Sequence, residues 1–292
     1  MFRSRFLFAA ALLTLAACTK EAAQRAPEAD DFGDPIIVKS TPTRVVSLNP
    51  ATTDLIFALG AGDRLVGRTH WDVYPAEAVK VPDLGSGIRP NVEAVLGARP
   101  DLVILYASND NRAAASAFRT AGVNTLSLKI DHIADFHRAA RTIGRLLGDS
   151  ARGARVSDSV EKTLRRVRSE TASLAKPTVF WHIWDAPLIT IGHGSYMNEL
   201  VEIAGGSNVY GDMSETSPTV SIEDVIKRDP KFIITGPEGA VKIAADPRWS
   251  HVPAVKSRHI LVVDTAIVGR PSVRLGEAAV SLAKLFHPGE SH

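Results

Sequence analysis

Apolar residues fall along this chain in two alternating kinds of block. Short continuous runs, such as Arg44-Val-Val-Ser-Leu48, Val123–Leu128, Thr178-Val-Phe-Trp-His182 and His259–Asp264, are bounded by polar or turn residues. They read as buried strands. Between them lie segments whose apolar positions recur every three to four residues, among them Asp54–Gly60, about Asp135–Leu147, Glu199–Gly205 and Val273–Phe286. These read as amphipathic helices; Asp54–Gly60 and Glu199–Gly205 each open with an acid and stop at a glycine. Strands alternating with helices imply parallel sheets covered on both faces.

The pattern is duplicated. Val92-Glu-Ala-Val-Leu-Gly-Ala-Arg-Pro-Asp-Leu-Val-Ile104 aligns without a gap to Ile222-Glu-Asp-Val-Ile-Lys-Arg-Asp-Pro-Lys-Phe-Ile-Ile234. Glu93 and Glu223, Val95 and Val225, Pro100 and Pro230, and Ile104 and Ile234 are identical pairs. Each copy reads as a short helix, a Pro-containing turn and a strand, with Asn91 and Ser221 placed to cap the helices. A repeat of this size divides the chain into two similar α/β lobes, 42–147 and 177–288.

Between the lobes, Val156, Val160, Leu164, Val167 and Leu174 keep helical spacing across Asp149–Ala175, against a face of Arg, Lys, Glu and Ser. One helix of about 25 residues over 148–176, roughly 37 Å long, is expected to join the lobes. In open α/β sheets ligands sit beyond the carboxyl ends of the strands. The segments there are Asn49–Thr53, Arg68–Pro75, Tyr106–Arg112, Ile183–Ser195, Gly236–Lys242 and Thr265–Arg270.

The start of the chain follows neither pattern. Two arginines precede an apolar run from Phe6 to Ala17, too short for a helix to span a bilayer but right for an export signal. The one cysteine, Cys18, closes it; a single Cys excludes an intramolecular disulfide and a cysteine-cluster metal site. The segment Leu15-Ala-Ala-Cys18 resembles the bacterial lipobox, which implies acylation of Cys18 and an exported, periplasmic or cell-envelope lipoprotein held at a membrane by its lipid anchor. Residues 1–18 then form the signal, and the polar stretch 19–41 reads as a flexible tether with solvated acids. Removing Arg3 and Arg5 leaves 34 − 2 = 32 basic residues against 32 acidic ones. Such a balance gives no bulk electrostatic reason to bind nucleic acid.

Signatures of catalysis are missing: the sequence has no GxSxG, HExxH or Walker loop. An enzyme on this architecture needs an acid/base pair or cofactor in the cleft, and none is evident. Among nine histidines, only His70, His182 and His193 fall on cleft elements. A Zn or Mn receptor would need them as ligands, whereas each also reads as a structural or solvent-facing histidine, so no metal site is assigned. Aromatic residues give the clearer signal. Trp71 and Tyr74, Tyr106, and Trp184 stand at strand ends, where they suit a large, flat, partly apolar ligand. Trp181 is expected to face the core by strand alternation. Tyr74, before Pro75, fits either the cleft or packing at the turn.

These residues together resemble the substrate-binding proteins of bacterial ABC importers, in the group with two Rossmann-like lobes joined by one long helix that serves cobalamin, ferric siderophores and haem. The resemblance is carried by Arg44-Val-Val-Ser-Leu-Asn-Pro-Ala-Thr-Thr-Asp54, Asp72-Val-Tyr-Pro75, Asn91–Ile104 and Ala204-Gly-Gly-Ser-Asn-Val209. It implies a non-enzymatic receptor with no cofactor of its own, delivering its ligand to a permease dimer with its ATPase. It is nearest the cobalamin-binding branch, which implies ligand contacts from Asn49, Pro50, Ala51, Thr52, Trp71, Tyr74, Tyr106, Trp184 and Arg270. Gly87 and Ser217 fall where that branch carries further tryptophans. Arg89, Arg270 and Arg274 instead suit the carboxylates of a siderophore or haem. The resemblance also implies that Glu93 and Glu223, one per lobe, dock to permease arginines; the dipole at a helix start also favours a carboxylate there.

Overall fold

The structure, a computed structural model, describes residues 28–290. The signal segment 1–18 with Cys18, and residues 19–27 of the expected tether, lie outside the described residues. In the N-terminal lobe, β1 (Val45–Leu48), β2 (Leu65–Gly67), β3 (Leu102–Tyr106) and β4 (Asn124–Leu128) form one parallel sheet in the order β2-β1-β3-β4. In the C-terminal lobe, β5 (Thr178–Trp181), β8 (Ser207–Asn208), β9 (Phe232–Thr235) and β10 (Ile260–Val262) form a second, in the order β10-β9-β5-β8. An antiparallel hairpin, β6 (Trp184–Asp185) and β7 (Leu188–Ile189), stands beside it.

Side chains along the strands alternate between two cores. Leu102 and Ile104 face the interior between the lobes, and Val103 and Leu105 face the outer helices. In β5, Val179 and Trp181 point inward while Phe180 joins the outer core with Val225 and Ile233. Coverage of both faces explains continuous apolar runs in place of apolar–polar alternation.

The helices α1 (Pro50–Ala58), α2 (Val92–Gly97), α3 (Arg112–Thr120) and α4 (Ile133–Leu146) belong to the first lobe. After α5 (Ser150–Thr171) come α6 (Tyr196–Ile203), α7 (Ile222–Arg228), α8 (Pro237–Ala245), α9 (Pro253–Lys256), α10 (Thr265–Val268) and α11 (Leu275–Phe286). The duplicated segments keep their backbone details. Asn91 accepts from Ala94 N at 3.1 Å and Ser221 from Asp224 N at 3.2 Å. Val95 and Val225 are buried, and Arg99 and Asp229 leave their helices at φ 49° and 45°. Both residues adopt the left-handed conformation that lets the chain turn into the next strand.

Two expectations need correction. Asp54 does not open its helix: Asn49 caps α1 through Ala51 N, Pro50 starts it, and Asp54 lies buried in the following turn. Proline's fixed φ and missing N–H suit this first helical position. The tether is also shorter than 19–41, because residues 28–38 dock on the first lobe. The buried Asp30 carboxylate accepts from Phe32 N, Asp34 N and Ser127 N, each at 3.0 Å, and pairs with Arg119. Asp31 holds Lys129 N and Arg138, and Ile36 and Val38 pack on the core. An acid that satisfies three backbone N–H groups and a guanidinium is not a solvated one.

The linking helix α5 spans 22 residues, about 33 Å at 1.5 Å per residue. It ends before the expected Ala175, where the buried Thr171 hydroxyl bonds Ile203 O at 2.9 Å. Its buried face, Val160, Leu164 and Val167, belongs to a core that runs without a break from Val45 and Phe136 to Leu200 and Leu282. At its start, α5 crosses α4 backbone to backbone. A Cβ at Gly153 would lie 2.6 Å from Ala140 O, and one at Gly144 2.7 Å from Gly153 Cα. Gly→Ala in a helix ordinarily gains up to about 1 kcal/mol. Here overpacking dominates, so Gly153→Ala is expected to destabilise by about 1–3 kcal/mol in urea unfolding. A stabilised variant would refute the close crossing.

Candidate ligand-binding cleft

The carboxyl ends of both sheets open onto two adjoining hollows that share Gly269. The first, about 490 Å³, is lined by Asn49, Pro50, Trp71, Ile88, Tyr106 and Arg270 among others. The second, about 520 Å³, is lined by His182, Trp184, Asp185, Thr235 and Lys242 among others. Several segments expected as loops are helix starts: α1 at Pro50, α8 at Pro237 and α10 at Thr265.

Trp71 is 64% exposed. Its loop is rigid beneath it: Asp72 Oδ2 accepts from Thr69 N at 2.5 Å, and Thr69 Oγ1 accepts from Trp71 N at 3.2 Å. The indole is thus held out over the first hollow. Tyr106 donates to Asp131 Oδ1 at 2.5 Å; burial first, then this carboxylate, drives the phenol far above its ordinary pKa. It is a neutral wall. Trp184 is 55% exposed and projects from the hairpin into the second hollow, while Trp181 is buried as expected.

Other expected residues are placed differently. Ala51 and Thr52 are buried inside α1, where the Thr52 hydroxyl donates to Asn49 O at 2.9 Å and faces Ser47 Oγ at 2.7 Å. They shape the wall from behind. Tyr74 lines neither hollow; the Arg274 guanidinium lies 4.6 Å from its ring centroid. A side chain at Gly87 would meet Leu48 O at 2.2 Å, so this backbone admits no tryptophan there, and Ser217 is exposed away from both hollows. His182 is buried and bonded to Asp185 and Thr235. Among the described residues no cluster of three or more His, Cys, Asp or Glu side chains is arranged to hold a metal.

Arg270 comes from the C-terminal lobe but reaches across it. Its Nη1 lies 3.6 Å from Asp54 Oδ1, and its Nη2 donates to Trp71 O at 3.4 Å. Tyr196 N donates to Asp131 O at 2.6 Å, and His132 Nδ1 meets Glu199 at 2.8 Å, so two further contacts tie the lobes together. Arg270 therefore serves the joint beneath the cleft as well as its wall. Burial pushes Asp54 up to about 7, against the pull of Arg270, and Asp72 up to about 6, against its bonds to Thr69.

A sequence signature described as "Periplasmic binding protein" matches residues 45–266. The chain belongs to that family. It is 28% identical over 268 residues to an uncharacterized ABC transporter substrate-binding lipoprotein, YvrC, of Bacillus subtilis, covering 89% of this chain and 84% of that protein. It is 28% identical over 277 residues to a cobalamin-binding protein of Halobacterium salinarum, covering 89% and 73%. Its fold matches the crystal structure of a periplasmic heme-binding protein from Pseudomonas aeruginosa, with TM-score 0.79, 22% identity and coverage of 86% and 94%. The chain is thus an ABC transporter substrate-binding protein, non-enzymatic, with a solute and a transporter as its partners. Among the described residues no helix is long and apolar enough to cross a membrane.

Sequence reasoning placed Lys242, Asp72 and Asp185 on strand-end segments but gave none of them a role of its own. Only Gly239, placed where α8 meets β9, hinted at close packing there; a Cβ would sit 2.0 Å from Thr235 Oγ1.

The two buried carboxyls make stability fall as pH rises. Their pKa values are higher in the folded state than the ordinary 3.8, so the folded state keeps protons that the unfolded state has released. Stability is then lost progressively from about pH 4 to pH 7, with a slope near 1.4 kcal/mol per pH unit for each proton difference. Asp54→Asn is expected to flatten that part of the profile in thermal melts taken from pH 4 to pH 8. An unchanged slope would place the titration elsewhere.

Proposed function

We propose that this receptor captures cobalamin or a related corrinoid and delivers it to an ABC importer. The observation that carries the reading is the aromatic furnishing of the cleft: an exposed Trp71 beside Tyr106 on one side, and Trp184 on the other. Exposed indoles on rigid supports suit a large flat ligand with apolar faces. The cobalamin-binding relative from Halobacterium salinarum supports the same ligand class.

Haem or a ferric siderophore is the second reading, favoured by the arginines around the cleft and by the haem-binding fold relative. Those arginines are already engaged. Arg89 pairs with Asp110 at 2.6 Å, Arg274 with Glu277 at 2.7 Å, and Arg270 with Asp54. A ligand rimmed by neutral amides needs no free guanidinium, so the corrinoid is preferred.

Acylation at Cys18 would tether the receptor at a membrane of the cell envelope, and Glu93 and Glu223 would dock it to the permease. Both carboxylates are exposed at the first turn of a short helix, one per lobe. Glu223 sits below the ordinary carboxylate range through its own backbone N–H and the Ser221 hydroxyl, so it stays charged at neutral pH.

Titrating the purified protein with cyanocobalamin should quench tryptophan fluorescence, and Trp71→Ala should weaken binding by at least a few-fold to about tenfold, the range of one stacking contact before the lost buried area is added. No binding by calorimetry up to millimolar cyanocobalamin, with retention of haemin or a ferric siderophore after desalting, would replace the corrinoid by that ligand. Separately, Glu93→Ala with Glu223→Ala should leave ligand affinity within about twofold while abolishing uptake through the cognate permease, since rim charges act on docking, not on the cleft. Full uptake by the double variant would reduce both residues to helix-start acids.

A further inference from the structure

The second hollow contains a chain of contacts that runs from Lys242 through Asp185 and His182 to Thr235. Lys242 Nζ lies 3.1 Å from Asp185 Oδ2 and 5.0 Å from the Trp184 ring centroid. Asp185 Oδ1 lies 2.8 Å from His182 Nε2, and His182 Nδ1 lies 3.0 Å from Thr235 Oγ1. A carboxylate only accepts, so Nε2 carries the proton and Nδ1 takes the Thr235 hydroxyl. Burial holds His182 below its ordinary pKa, which keeps the ring neutral in this arrangement. Gly239 allows it all: a Cβ there would lie 2.9 Å from His182 Nδ1, so only glycine lets α8 lie close enough to bring Lys242, one turn on, to Asp185.

The ammonium therefore covers one face of Trp184, and the indole stays 55% exposed in the wall of the hollow. Asp185 takes one of its three donors. The lysine side chain is half exposed, at the rim of the hollow. We infer that Lys242 is a specificity-determining residue of the cleft, holding the Trp184 ring in place and donating to an acceptor oxygen at the edge of a flat ligand stacked on that ring. The chemical class is a planar apolar body rimmed by carboxamide or carboxylate groups. The inference rests on the ligand reading above for its probes, but not for its geometry.

Calorimetry with cyanocobalamin, which offers carboxamides, and haemin, which offers carboxylates, tests it. Lys242→Met should weaken whichever probe binds by about tenfold, and Lys242→Arg should stay within about threefold of the parent. Raising salt from 50 to 500 mM should weaken a carboxylate contact and spare a carboxamide one. In a Trp184→Ala background the Lys242→Met loss should shrink below threefold, a coupling that a lysine acting independently of Trp184 would not show. Equal affinity of the Lys242→Met variant and the parent overturns the proposal. A ligand-free arm stands apart from the ligand reading. In a Trp71→Phe background, Lys242→Met should raise acrylamide quenching of the remaining exposed indole at least twofold. If neither probe binds the parent protein, the corrinoid and haem readings fall, and unchanged acrylamide quenching would then overturn the role of Lys242 as well.

Discussion

Everything in this molecule depends on the burial of one face of α5. Val160, Leu164 and Val167 are shared by two lobes, so the apolar surface that stabilises each lobe also fixes its position relative to the other. Burying a Leu or Val side chain contributes about 1.5–3 kcal/mol. A large rotation of one lobe would strip part of that core and break the contacts Tyr196–Asp131 and His132–Glu199 beneath the cleft. The hollows at the sheet ends are thus largely preformed, and a ligand meets walls that need little reorganisation.

Preformed walls make the exposed aromatics informative. Trp71 and Trp184 stand in water although neither is loose. One is fixed by the Thr69–Asp72 turn, and the other lies under the Lys242 ammonium beside its own hairpin. Indoles exposed on rigid supports at the mouths of adjoining hollows fit a ligand surface better than they fit packing frustrated by chance. Tyr106 differs in kind. Its hydroxyl is committed to Asp131, so it offers a ring and withholds a proton.

The fold was legible because its signals are local and repeated. Continuous apolar runs at Val45–Leu48 and Leu102–Leu105, caps at Asn91 and Ser221, and the spacing of Val160, Leu164 and Val167 each report an element without reference to distant residues. Trp71, Tyr106 and Trp184 were legible as cleft residues because strand ends in a parallel sheet point to one edge. What escaped depended on contacts distant in sequence. Asp30 reads as a tether acid until Ser127 N and Arg119, about ninety residues on, are seen to enclose it. Asp54 reads as a first-turn acid until Asn49 and Pro50 are seen to start the helix before it. Lys242 carries no motif; Gly239 and His182 give it meaning, and only folding brings them together.

Arg270 shows how such contacts redirect a residue's role. By type and place it suits a ligand carboxylate, yet its guanidinium is mostly buried between Asp54 and the Trp71 carbonyl. Withdrawing charges from water is costly, and the raised Asp54 and Asp72 carboxyls record that cost, so the cluster is a poor source of stability. What it supplies is direction. The apolar joint holds the lobes together, and an arginine reaching from the C-terminal lobe to an acid and a carbonyl of the N-terminal lobe adds two directional contacts to it. That carbonyl belongs to Trp71. A contact between the lobes therefore also touches the backbone that carries the exposed indole, and joint and ligand wall share a single side chain.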